Sequence, residues 1–170
     1  MVQNFDRQKG FTLLEMIFAI TIISVGVLGI YNGMSFAIAN TQKAREYFMG
    51  AYLAQEGIEI VKNMRDTNWV ADGNWDDGLI GSCESGCEAD YATASSTFSL
   101  NPYNNTGGRY LRIDSNGFYN YDNGPETIYK RKITVEEPAS STSTINITVD
   151  VYFSGVTTTI KENIRDWYTQ

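Results

Sequence analysis

A single carboxylate, Glu15, stands inside an otherwise apolar run from Phe11 to Tyr31, behind a short polar leader that ends in Lys9-Gly10. An ionised group inside a membrane helix costs about 3 kcal/mol on insertion scales, so an unpaired one marks a functional position. The chain holds 0 His, which removes Ser-His-Asp and Cys-His catalysis and any histidine metal site. An enzyme would then need paired carboxylates, and spacing alone places no such pair, so we assign no catalytic residue. Its 2 cysteines, Cys83 and Cys87, have C-x3-C spacing, unlike the C-x2-C of thioredoxin-like redox sites, and no further ligands accompany them for zinc. In an oxidising compartment they read as a local disulfide stapling a loop, worth about 2 kcal/mol before strain. Asp72-Gly73-Asn74-Trp75-Asp76-Asp77-Gly78 clusters oxygen ligands of the kind calcium prefers, but it lacks the twelve-residue spacing and closing glutamate of an EF-hand. Turn-forming Asx and Gly explain it as well, and we assign no metal and no cofactor.

The element that must position Glu15 is a helix. Residues 11–31 supply roughly the 20 apolar residues that cross a bilayer at about 1.5 Å per residue. Arg7 and Lys9 lie just upstream, and the positive-inside rule then keeps the N-terminus in the cytoplasm and the bulk of the chain outside it. Gly26, Gly29 and Gly33 permit close helix approach in lipid. Two plainer readings compete. An ordinary membrane anchor leaves Glu15 unexplained. A conventional secretory signal could be cut after Ala37-Ile38-Ala39 to leave Asn40 first, but the apolar run exceeds the usual 7–15 residues and carries a charge.

The string Lys9-Gly10-Phe11-Thr12-Leu13-Leu14-Glu15 resembles the class III signal of type IV prepilins and of type II secretion pseudopilins. That resemblance implies cleavage by a prepilin peptidase between Gly10 and Phe11, N-methylation of Phe11, and pairing of Glu15 with the free amine of a neighbouring subunit. Its implied partners are other pilin or pseudopilin subunits, the peptidase and an inner-membrane assembly platform. The implied location is a single pass through the inner membrane, followed by an extracytoplasmic filament. The stretches 18–30, 54–59 and 62–65 are similar to PilV-type minor pilins and I-type minor pseudopilins. Many major pilins carry a kinking proline in the membrane half, whereas here the first proline is Pro102, so the resemblance is to a minor subunit.

Beyond the membrane the helix is expected to continue to about Asp66. Ala44, Tyr47, Phe48, Ala51, Ala54, Ile58 and Val61 recur at three- and four-residue steps, and no proline interrupts. Asn68-Trp69 through Gly81 has no period and reads as a loop. Further on the period changes to two. Residues 109–113 and 118–121 flank Asp114-Ser115-Asn116-Gly117 as a hairpin, and Tyr129, Arg131, Ile133 and Val135 share one face of a strand expected to be solvated. Ile145, Ile147, Val149, Val151 and Phe153 alternate as a half-buried strand, Ser154-Gly155 turns it, and residues 156–164 return, with Trp167-Tyr168 anchoring the tail. Asn104-Asn105-Thr106 and Asn146-Ile147-Thr148 match glycosylation sequons, which are common by chance, and no modification is assigned.

The expected fold is α+β and pilin-like: a long N-terminal helix, transmembrane and then amphipathic, covering three or four C-terminal antiparallel strands. Its expected divisions are a cleaved leader (1–10), a membrane and filament-core helix half (11–38), an amphipathic half (39–68), a variable loop region with the small disulfide loop (69–108) and the sheet (109–170). The formal charge of −7 over 170 residues suits a soluble exterior and weighs against nucleic acid as a partner. The expected function is that of a structural, minor subunit of a pilus or pseudopilus. The alternative is a secreted or tip-located binding module or adhesin with a conventional signal peptide.

Overall fold

The computed structural model describes residues 10–81, 83–92, 100–103, 107–139 and 143–166. They form one helix, α1 (Leu13–Val70), and seven strands: β1 (Cys87–Glu88), β2 (Asn101–Pro102), β3 (Tyr110–Ile113), β4 (Tyr119–Asn120), β5 (Glu126–Glu136), β6 (Thr144–Phe153) and β7 (Val156–Arg165). The chain divides into two compact units, the first ending at Ala44 and the second beginning at Arg45.

In the first unit every described residue is exposed. Phe11, Leu13, Ile22, Val25, Ile30 and Phe36 all lie on uncovered surface, and the helix is long and apolar enough to cross a membrane by length and composition. Its few hydroxyls are turned back onto its own backbone. Thr21 Oγ1 donates to the carbonyls of Ile17 and Phe18 at 2.9 and 2.8 Å, and Ser24 Oγ donates to that of Ile20 at 2.7 Å. Such back-bonding satisfies a hydroxyl where lipid offers no partner.

The second unit is α+β. Its sheet is antiparallel and built on β5. One edge of β5 pairs with β6, from Lys130↔Tyr152 to Glu136↔Asn146, and β7 follows β6 in register from Phe153↔Val156 to Thr144↔Arg165. The other edge is shared, with β3 at Lys130 and Glu126 and β1 at Ile133; β4 lies beyond β3, and β2 beyond β1. The β6–β7 turn has positive φ at both central residues, 46° at Ser154 and 76° at Gly155, the geometry that matches the twist of a two-residue hairpin. The expected hairpin of β3 and β4 and the strand alternation are present, but the sheet has seven strands rather than three or four. The strands that no pattern announced, β1 and β2, are two residues long, too short to carry a period.

Alternation along β5 and β6 places Tyr129, Arg131, Ile133, Val135, Ile145, Ile147, Val149, Val151 and Phe153 on the inner face, all buried beneath the helix. The helix lies closest where it has glycine. A Cβ at Gly50 would sit 2.5 Å from Phe153 Cε1, and one at Gly57 would sit 2.9 Å from Val149 Cγ1. The buried face is therefore Gly50, Leu53, Ala54, Gly57, Ile58, Ile60, Val61, Met64 and Asn68. This corrects the expected face. Ala54, Ile58 and Val61 belong to it, whereas Phe48 is 68% exposed and Tyr47, 50% exposed, meets the sheet through its ring, 5.5 Å from and edge-on to that of Phe153; two glycines, which no hydrophobic pattern counts, set the line of contact.

The helix also ends at Val70, not Asp66, so Asn68 and Trp69 belong to its last turn. Asp72 takes a left-handed φ of 54°, its N–H donates to Trp69 O at 3.1 Å, and Gly73 N–H donates to Asn68 O at 3.0 Å. This is a Schellman closure, with aspartate where glycine is usual. Buried Asn68 holds the turn that follows, its Nδ2 donating to the carbonyls of Trp75 and Asp77 at 3.2 and 2.9 Å. The expected tail anchor Trp167-Tyr168, residues 1–9 of the leader and the sequon at 104–106 lie outside the described residues.

Candidate processing and assembly site

Glu15 enters the structure in the first turn of α1. Thr12 precedes the helix and caps it: its Oγ1 accepts the Glu15 N–H at 3.3 Å, and its carbonyl accepts the Met16 N–H at 3.2 Å. With Thr12 at the N-cap and Glu15 three positions on, the segment has the S/T-x-x-E spacing of a capping box. Sequence reasoning passed over Thr12, although this spacing was there to find it. Phe11, 80% exposed, stands just outside the helix, so an amine exposed there would lie at the positive end of the helix dipole. The Glu15 carboxylate has no hydrogen-bond or ion-pair partner among the described residues, and its neighbours Leu14, Met16 and Phe18 are uncovered hydrocarbon. Gly10, Phe11 and Glu15 are thus brought within about one helical turn, in an apolar surface that nothing in the described chain covers.

The second unit holds two further features that sequence singled out. Cys83 and Cys87 form a disulfide. The loop they close is sewn to the sheet: Cys83 O accepts the N–H of Gly86 at 3.0 Å and that of Val135 at 3.2 Å, and Gly86 O accepts Tyr103 N–H at 2.9 Å. It thereby extends the β1–β5 pairing. The backbone of the Asp72–Gly78 stretch is folded into turns: Asp72 closes the helix, the Asp76 carbonyl accepts Leu79 N–H at 2.9 Å and the Asp77 carbonyl accepts Asn68 Nδ2–H at 2.9 Å. Among the described residues no three His, Cys, Asp or Glu side chains gather as a metal site.

The residue most misjudged is Arg131. The strand carrying it was expected to be solvated, yet Arg131 is 0% exposed on the inner face of β5. Its guanidinium donates to the carbonyls of Leu53, at 3.0 Å, and Ala89, and lies 3.4 Å from Glu56, so it joins the helix to the β1 segment. Its Nε has no partner. Around it Glu88, buried, accepts both the backbone N–H and the Nε of Arg109 at 2.7 Å, and that guanidinium stacks 4.7 Å from the Tyr121 ring. Burial raises the Tyr121 phenol to about 12, against the opposing charge of Arg131. A cationic side chain at a core-facing strand position reads as surface until the carbonyls that receive it are known. The cluster holds the unit together and presents no nucleophile–base pair.

Residues 5–31 match the family described as the prokaryotic N-terminal methylation motif. The chain carries that motif. It is the class III signal of type IV pilins, and here it spans the Gly10–Glu15 segment and the apolar helix that follows. Comparison with curated proteins and with solved structures gives no match. The methylation motif, with the α+β pilin-like architecture, supports a type IV pilin-like or pseudopilin-like precursor and points to a structural protein rather than an enzyme. It implies processing by prepilin peptidase and assembly with other pilin subunits, and membrane anchoring before assembly into a surface filament.

Proposed function

We propose that the chain is a minor structural subunit of a type IV pilus or of a type II secretion-like pseudopilus, built by cleavage between Gly10 and Phe11. The Phe11 amine, once exposed, is methylated, and the amine of one subunit meets Glu15 of its neighbour on the inner-membrane assembly platform. Before assembly the subunit spans the inner membrane once, with its N-terminus in the cytoplasm, and the helices then bundle in an extracytoplasmic filament. The observation that carries this reading is the coincidence of the methylation motif with a carboxylate that has no partner on an uncovered apolar helix.

The physics supports it. In hydrocarbon an unpaired charge costs several kcal/mol, and an opposite charge on a neighbour offsets much of that. Glu15 lies about one turn from Phe11, so the pair forms only when adjacent helices are displaced along their axes, and this sets a subunit stagger. A cut after Ala39, as a secreted module requires, would sever α1, which runs unbroken from Leu13 to Val70.

The test is Glu15→Ala in the full chain, comparing processing with incorporation into sheared filaments. Processing is expected to stay at the wild-type level while incorporation falls at least about tenfold, the equivalent of about 1.4 kcal/mol. Incorporation equal to wild type would contradict the pairing role.

A further inference from the structure

The inner face of the sheet is covered by the helix; on the outer face Gly86 and Tyr103 lie over Lys132, whose ammonium is 5.7 Å from the Tyr103 ring centroid, and the rest of that face is more open. At one end of that outer face lies a groove of about 370 Å³ lined by Tyr110, Ile128, Lys130, Tyr152, Ser154 and Thr157. The strand register explains why they meet. Tyr110 pairs with Lys130, Lys130 with Tyr152, and Tyr152 with Thr157, so four strands contribute one side chain each to a single row. At about 4.8 Å per strand the row is about 14 Å long.

The charge of this row runs against that of the molecule. The chain is −7 overall, yet no carboxylate lines the groove, and its one ammonium, Lys130, has no ion pair among the described residues. Lys62, Arg65, Arg109, Arg112 and Arg131 each face a carboxylate, whereas Lys130, like Lys43, Arg45, Lys132 and Lys161, has no ion pair among the described residues. Lys130 instead sits 4.4 Å from the centroid of the Tyr110 ring, which holds the ammonium at the groove by cation–π attraction. Tyr110, Tyr152 and Thr157, each with a hydroxyl, line the same groove. The Ser154 hydroxyl is already donated to Glu46, at 3.0 Å.

We propose that this groove binds an acidic saccharide, its carboxylate on Lys130, its apolar ring face on the tyrosines and its hydroxyls on the phenol and threonine oxygens. A cation, flat aromatic surface and side-chain hydroxyls match a polyhydroxy acid group by group, and the volume falls within the roughly 300–1,000 Å³ of small-ligand clefts. An extended peptide fits less well. Peptide capture on a sheet uses the free backbone groups of an edge, and the centre of this groove, at Lys130 and Tyr152, lies on the face of β5 and β6, which are paired on both sides.

Full-length chain in zwitterionic detergent, titrated calorimetrically, tests this with the methyl glycosides of glucuronate, galacturonate and N-acetylneuraminate against neutral methyl glucoside and triglutamate. At least one acidic glycoside is expected to bind at least about tenfold more tightly than methyl glucoside, with the preference lost in Lys130→Met, kept in Lys130→Arg and unchanged in Thr134→Ala, a substitution outside the groove lining. Tyr152→Ala should weaken every glycoside. Absence of binding by all three acidic glycosides up to about 10 mM, equal binding of the neutral sugar, an unchanged preference in Lys130→Met, or triglutamate binding as tight as the best glycoside would each overturn the proposal.

Discussion

At the scale of single residues, charges sit in two opposite settings. Glu15 has its chemistry unspent: it opens a helix whose surroundings are bare hydrocarbon, and Thr12 occupies the backbone N–H that the glutamate turn would otherwise leave open. Arg131 has both terminal guanidinium nitrogens committed, to the helix and the β1 segment, with Glu56 close by, and only its Nε is left without a partner. Tyr121, whose phenol donates to Arg131 O at 3.3 Å, reports on that core through pH. Its folded-state value is raised from an ordinary 10.0 to about 12, so between those values the unfolded chain has lost the proton and the folded chain keeps it. Stability must then fall as pH rises, and below pH 10 the contribution is fully present. We expect wild type to lose about 2 kcal/mol more than Tyr121→Phe between pH 10 and pH 12, measured by denaturation in detergent at each pH. Tyr103, Tyr119, Tyr129 and Tyr152 are also raised by burial, so the variant should keep a shallower slope of the same sign. Glu15 was legible because a charge breaks an apolar pattern; Arg131 was not, because a lone arginine in an alternating strand looks the same whether carbonyls or water receive it.

At the scale of elements, the helix and the long strands were written in their periods, and the contact between them was not. Apolar spacing located α1 and the inner faces of β5 and β6 to within a few residues. It counted the exposed Phe48 into the contact face along with Tyr47, whose ring does meet Phe153, and left out the residues that set the contact, because a scan for hydrophobic residues passes over glycine. Gly50 and Gly57, seven positions apart and so on one helical face, let the backbone approach Phe153 and Val149. Gly57→Val should therefore destabilise the second unit by about 1–3 kcal/mol through overpacking, despite valine's greater apolarity. By contrast Gly26→Ala, with nothing within 4 Å of a new Cβ, should leave the unfolding midpoint of that unit in place. Thermal unfolding in detergent followed by near-ultraviolet circular dichroism compares the two. The short strands β1 and β2 escaped the sequence reading because two residues carry no alternation, and the helix overran its expected end because Asp72, not glycine, adopts the left-handed closure.

At the scale of the whole molecule, the chain combines a unit with no core of its own and a unit with a complete one. The first exposes apolar side chains from Phe11 to Ile38; the second buries them from Leu53 to Ile164 around a single sheet. The acidic balance of the chain suits a solvated exterior for the second unit, and the uncovered apolar surface of the first suits lipid or other helices. In the proposed function, assembly joins these requirements and depends on one covalent event, the release of an amine beside a carboxylate. The most direct measurement is the mass spectrum of the N-terminal peptide of the chain isolated from the cells that make it. The account predicts a peptide beginning at Phe11 and carrying one added methyl group. A peptide that still contains residues 1–10, or one that begins at Asn40, would contradict it.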